Sequence, residues 1–231
     1  MNFKFALRLF TSSIGRKTIM AASGLALAFF MLVHLAENLL LLKGEAAYNG
    51  WVDFLLSNPL IPVAEIGLLI LFLAHIITGL WVRYENYKAG GFSKYEESKS
   101  QGGRTIGSAT MIYTAFALLA YLVYHMIHFR FADHSVGFYQ MVTEAFRNKL
   151  FVSVYVAGAL ALALHLSHGF QSAFQTLGLN HDKYSFLIKA AGYAVAVSMI
   201  LFAMLSVYFL LGMDLRFAPL SAPKVLETVI N

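Results

Sequence analysis

Five apolar runs, each roughly twenty residues long, alternate with polar stretches along the chain, at about 19–42, 62–83, 106–128, 150–172 and 186–212. A helix rises about 1.5 Å per residue, so each run is long enough to cross the roughly 30 Å hydrocarbon core of a bilayer. The pattern predicts an all-α integral membrane bundle of five transmembrane helices, with 1–231 as a single domain. Residues 1–18 place Lys4, Arg8, Arg16 and Lys17 among Phe3, Phe5, Leu7, Leu9 and Phe10 and read as an interfacial lead-in. The run behind them is too long for a cleaved signal and is expected to be the first retained helix. After it come Lys43, Glu45, Tyr48, Asn49, Trp51 and Asp53, where Tyr and Trp suit the headgroup belt. Pro59 and Pro62 flank the start of the second run, where a first helical turn tolerates proline. The longest polar stretch is 83–105, with two Gly-Gly pairs. A second lies between Arg130 and Lys149, and a short link holds His181, Asp182 and Lys183. The tail 213–231 is mixed and reads as interfacial or disordered.

Composition agrees with the pattern. Of 231 residues, 59% are hydrophobic and 13% charged, against about 25% charged in soluble domains. The net charge of +5 is not a nucleic-acid signal here, because in a membrane protein the placement of Lys and Arg matters more than their sum. Lys4, Arg8, Arg16, Lys17, Arg83, Lys88, Lys94, Lys99, Arg104, Lys183 and Lys189 fall on one side of the bundle. The fewer Lys43, Arg130, Arg147, Lys149, Arg216 and Lys224 fall on the other. The excess puts the N-terminus and the 83–105 loop in the cytoplasm. The chain has no cysteine, which excludes disulfides, protein-ligated iron–sulfur clusters, thiolate-bound haem and covalent c-type haem.

The candidate chemistry is carried by four histidines, one in each of the first four runs: His34, His75, His125 and His165. An ionisable residue inside a span is costly and points to function. The first and third spans run outward, the second and fourth inward. His34 and His125 lie past the middle of outward spans, and His75 and His165 past the middle of inward ones. Direction and depth alone pair His34 with His125 in the outer half and His75 with His165 in the inner half, roughly 10–15 Å apart along the membrane normal. Two haems, each held between two imidazoles, explain four such histidines. Ligation on both faces leaves no open iron position, so each haem carries electrons rather than binding oxygen. Gly79 and Gly169 follow His75 and His165 by four, on the same helical face, and would give a macrocycle room. Gly24, ten residues before His34, is a looser candidate for the same purpose at the inner site.

Buried histidines also serve simpler ends. A single one is more often satisfied by a carbonyl or a neighbouring side chain. A proton relay or substrate path uses them too, but it favours acidic residues within the spans, and the last three have none. His128 and His168 follow His125 and His165 by three, so spacing leaves either member of each pair open as the ligand. His128, beside Arg130, also reads as a solvated histidine or a propionate or quinone contact, and His168 as a propionate contact. His134 and His181 fall in loops and read as solvated. Glu37 and Asn38, just beyond His34, are either a polar helix end or part of an outer quinone site, and Glu65 has the same ambiguity. Arg16, Lys17, Arg83 and Arg104 follow from the charge rule, and Arg16, Arg83 and Arg104 are also candidate propionate contacts.

With these motifs placed, the chain resembles the di-haem cytochrome b membrane anchor of succinate:quinone oxidoreductases, the single-subunit five-helix cytochrome b558 type of bacterial succinate dehydrogenases and fumarate reductases. The resemblance spans essentially the whole chain. It rests on Ser23-Gly24 ten residues before His34, His75 before Thr78-Gly79, Tyr124-His125-Met126-Ile127-His128-Phe129, and Leu164-His165-Leu166-Ser167-His168-Gly169-Phe170 running on to Leu177-Gly178. It implies two haem b groups, the outer on His34 and His125 and the inner on His75 and His165, choosing His125 over His128 and His165 over His168. It also implies a flavoprotein subunit with FAD, an iron–sulfur subunit, a quinone (menaquinone in this type) reacting near the outer haem, and a multi-pass place in the bacterial inner membrane. One departure concerns protons. Some fumarate reductases of the type carry a glutamate two residues before the fourth-span histidine, where this chain has Ala163.

Overall fold

The computed structural model describes residues 11–89 and 106–213. Its described residues are helical, with no strand among them. The elements are α1 (Ser13–Asn38), α2 (Glu45–Ser57), α3 (Ile61–Ala89), α4 (Ile106–His125), α5 (Phe138–Ala145), α6 (Lys149–Thr176), α7 (Asp182–Ser198) and α8 (Ile200–Leu210). Five stretches are long and apolar enough to cross a membrane: Ser13–Lys43, Ile61–Lys88, Thr110–Arg130, Lys149–Thr176 and Asp182–Leu210.

The boundaries differ from the sequence expectation for local reasons. The first span starts at Ser13 rather than 19, because the Ser12 hydroxyl accepts from the Gly15 amide at 3.0 Å and caps the helix. Arg16 therefore sits in the span's first turns and not in a lead-in. Asn148 caps α6 the same way, accepting from the Leu150 and Phe151 amides at 2.9 and 3.2 Å. The fifth span is two helices that meet at Met199, which is completely buried. Two polar connections hold short helices, α2 and α5. Each follows a glycine at positive φ, Gly44 at 92° and Gly137 at 90°, a backbone that L side chains avoid.

α3 packs along α1, α4 along α6, and α1 along α6; α7 and α8 both lie on α6. The described residues do not pack α1 along α4, or α3 along α6. At the end where α1 begins, the near end, Arg16 pairs with the Glu85 carboxylate of α3. At the far end, Arg130 donates to both Glu65 oxygens at 3.1 Å. There α2 meets α5: the Tyr139 amide donates to the Asn49 side-chain oxygen at 2.9 Å. Two apolar cores follow. One, with Leu41, Val142, Phe146, Phe151 and Tyr155, seats α5 on the far end of α6. The other, with Ala28, Leu35, Leu166, Ala196 and Met199, joins α1, α6 and the last span at mid-depth.

Candidate functional site

The four histidines meet in two pairs. The His34 and His125 ring centres lie 5.9 Å apart with planes at 89°. Those of His75 and His165 lie 6.3 Å apart with planes at 78°. Each pair bridges two helices that do not pack along each other, α1 with α4 and α3 with α6.

Three helices measure the separation between the pairs. On α1, the His75 ring lies against Gly24, ten residues before His34. On α4, His165 faces Thr114, eleven residues before His125. On α6, His125 faces Tyr155, ten residues before His165. At about 1.5 Å per residue each gives about 15 Å.

The ring nitrogens are held asymmetrically. Nδ1 of His75 lies 3.0 Å from the Met20 carbonyl, which only accepts, so Nδ1 carries the proton. Nδ1 of His165 lies 3.3 Å from the Thr114 hydroxyl. That hydroxyl spends its own proton on the Met111 and Thr110 carbonyls, at 3.0 and 3.2 Å, so here too Nδ1 donates. Nδ1 of His34 lies 3.7 Å from the Glu37 carboxylate, and Nδ1 of His125 3.3 Å from the Tyr155 hydroxyl. Among the described residues, Nε2 of His75, His125 and His165 makes no hydrogen bond; Nε2 of His34 lies 3.5 Å from the Asn38 amide nitrogen. An imidazole whose Nδ1–H is held by the protein presents a lone pair at Nε2, the usual arrangement of a metal-binding histidine.

Two imidazoles binding one metal from opposite sides, through bonds of about 2 Å, hold their ring centres about 6 Å apart. The observed separations, the Nδ1 partners and the unpacked helix pairs all fit a group ligated on both faces. No cluster of three or more metal-binding side chains occurs among the described residues.

The remaining candidates sort by contact. His128 stacks on Tyr124 at 4.0 Å, and its Nδ1 meets the Tyr124 carbonyl at 2.8 Å, so it faces an aromatic cluster and neither pair. His168 is half-buried one turn beyond His165. His134 is tied through Nε2 to the Phe129 carbonyl at 2.8 Å, and His181 caps α7. Neither is simply solvated, as a loop position suggests. Asn38 donates to the His34 carbonyl at 2.8 Å. Glu37 faces His34 and also Tyr48 of α2, whose hydroxyl is pushed up to about 12 by burial and by that carboxylate. Arg16 is committed to Glu85 and lies over the Trp81 ring at 5.2 Å; its partner is a carboxylate of this chain. Arg83 is exposed. Arg104 and the tail 214–231 lie outside the described residues. Gly79 and Gly169 stand against Met20 and Met111, at 3.8 and 4.0 Å from a Cβ built there. Both are ordinary van der Waals distances. Gly24 is the glycine that matters: a Cβ there would stand 2.9 Å from Cε1 of His75.

Sequence reasoning missed the residues that face the imidazole Nδ1 atoms, namely Met20 through its carbonyl, Ser23, Thr114 and Tyr155, and Tyr48 behind Glu37. Only Ser23, Thr114 and Tyr155 left a signal, each a hydroxyl ten or eleven residues before a histidine on its own helix.

No family model, curated protein or solved structure matches this chain.

Proposed function

We propose that this chain is the di-haem cytochrome b anchor of a succinate:quinone oxidoreductase, set in the bacterial inner membrane with its near end in the cytoplasm. His34 and His125 would hold haem b in the outer half, and His75 and His165 haem b in the inner half. When bound, these groups supply one-electron carriage across the bilayer. The chain's own part is to present the imidazoles, fix the tautomer of His75 and His165 through Nδ1 and surround the pairs with apolar walls. It takes electrons from an iron–sulfur subunit at the cytoplasmic end, fed by a flavoprotein with FAD, and delivers them to menaquinone at the outer end. Glu37 and Asn38, beside His34 and under α2, are the residues to which the quinone is assigned. Support comes from one observation above all: four histidines of four different spans form two pairs, with ring centres 5.9 and 6.3 Å apart, across helices that do not pack along each other.

Affinity purification from detergent-solubilised native membranes tests the assignment. A flavoprotein and an iron–sulfur protein should co-purify with the chain, and the complex should reduce quinone with succinate. A nickel or molybdenum subunit in their place would make the chain the cytochrome of another quinone-linked dehydrogenase. A colourless protein without partners would return the histidines to a transport path.

A further inference from the structure

The contacts around the histidines occur twice. His34 and His75 are forty-one residues apart, His125 and His165 forty. Fourteen residues before the first histidine of each hairpin stands a methionine, Met20 or Met111. It touches the glycine four residues after the second histidine, Gly79 or Gly169, at 3.8 and 4.0 Å from a Cβ built there. Eleven residues before the first histidine stands a buried hydroxyl, Ser23 or Thr114. It faces Nδ1 of the second histidine, at 3.5 Å from His75 and 3.3 Å from His165. Four residues before the first histidine stands an aromatic ring against it, Phe30 on His34 at 5.5 Å and Tyr121 on His125 at 6.1 Å. The pairs themselves join first histidine to first and second to second.

We propose that α1–α3 and α4–α6 repeat one set of contacts around the histidine pairs, although α1 packs along α6 and α4 has no comparable packing along α3, and that Thr114 is the positioning residue of the near pair. The second part rests on the function proposed above. Equivalent places carry unequal loads. Ser23 shares His75 with the Met20 carbonyl, which is closer at 3.0 Å. Both carbonyls accept from the nearby hydroxyl, Met20 from Ser23 at 3.2 Å and Met111 from Thr114 at 3.0 Å, but among the described residues it is Thr114, and not the Met111 carbonyl, that is the hydrogen-bond partner of His165 Nδ1. The repeat breaks at the far pair. Tyr155, which faces His125, corresponds to Glu65, and Glu65 is taken by Arg130. The assignment is therefore confined to the near pair.

A hydrogen bond at Nδ1 raises the basicity of a ligating imidazole and so favours the oxidised form of a bound iron. Removing it raises the midpoint potential of that centre alone. The test is haem content and redox titration, with low-spin electron paramagnetic resonance, on purified wild-type protein and the variants Thr114→Val, Thr114→Ala, Thr114→Ser and Ser23→Ala. The near centre is identified as the one lost in His165→Ala. Thr114→Val and Thr114→Ala should raise the near midpoint and leave the far one unchanged. Thr114→Ser should restore it, and Ser23→Ala should shift it less. If Val replacement prevents assembly, the Ala and Ser variants carry the comparison. Two bound haems with wild-type midpoints in Thr114→Val and Thr114→Ala would overturn the role of Thr114, as would an equal shift in Ser23→Ala. A haem-free wild-type protein would instead overturn the function proposed above, and this role with it.

Discussion

The Tyr121 ring of α4 lies on the bare backbone of Gly158 in α6: a Cβ built there would stand 2.5, 2.6 and 2.7 Å from Cδ2, Cε2 and Cγ of the ring. Because Cγ is among those atoms, the ring cannot escape by a small tilt. From that seat Tyr121 touches both His125 and Tyr155, with ring centres 6.1 and 5.2 Å away. Gly158→Ala should destabilise the bundle by about 1–3 kcal/mol, the usual range for overpacking, and disturb the far histidine pair before the near one. Denaturant unfolding, with the far-site spectrum alongside, checks this. The double variant Gly158→Ala with Tyr121→Ala should recover part of the loss.

Gly24 plays a comparable part at the near pair. Gly24→Ala puts a methyl 2.9 Å from Cε1 and 3.2 Å from Nδ1 of His75. The imidazole must swing, and its hydrogen bond to the Met20 carbonyl breaks. Haem quantification should show the near site emptied or weakened and the far site kept. Equal loss from both sites would mean that the methyl acts on the bundle as a whole.

Arg16 and Glu85 form a partly buried ion pair, with side chains 11% and 32% exposed. Glu85 Oε1 also accepts from Trp81 at 3.2 Å. The other oxygen, Oε2, is buried without a partner among the described residues. Arg16→Ala leaves that carboxylate uncompensated and should cost a few kcal/mol, toward the low end of the roughly 3–5 kcal/mol seen for buried pairs. Arg16→Ala with Glu85→Leu should be the more stable of the two variants in thermal unfolding. The reverse order would mean that the pair does not hold α1 to α3.

Tyr48 gives the far end a pH signature. Its hydroxyl is raised from about 10 to about 12 by burial and by Glu37, so the fold prefers the neutral phenol. The stability it contributes is complete below pH 10 and is lost as pH climbs from 10 to 12. Tyr48→Phe should flatten that part of the stability profile, and the wild-type tyrosinate absorbance at pH 11 should exceed that of the variant by only about a tenth of one tyrosine, where an ordinary tyrosine would add nearly a whole one.

The five spans could be read from hydrophobic run length, because a bilayer demands length and apolarity and little else. Which histidines meet could be read from span direction and depth. The short helices α2 and α5 could not: residues 45–57 and 138–145 mix polar and apolar side chains, and only Gly44 and Gly137 mark where each begins. Arg16 shows a second limit. The charge rule reports the side of the membrane a cation prefers but not its partner, and Glu85 is sixty-nine residues away. The Nδ1 partners were hidden because a buried Thr, Ser or Tyr in an apolar run looks like ordinary packing until the opposite helix is in place.

A reduced-minus-oxidised spectrum of the purified chain, with haem counted as its pyridine haemochrome, decides whether the paired histidines hold iron. About two b-type haems per chain with low-spin bands are expected, falling to one in each of His34→Ala, His125→Ala, His75→Ala and His165→Ala. Wild-type protein purified from haem-sufficient cells without haem would contradict the two bis-imidazole sites. So would the loss of one and the same haem in His34→Ala and His75→Ala.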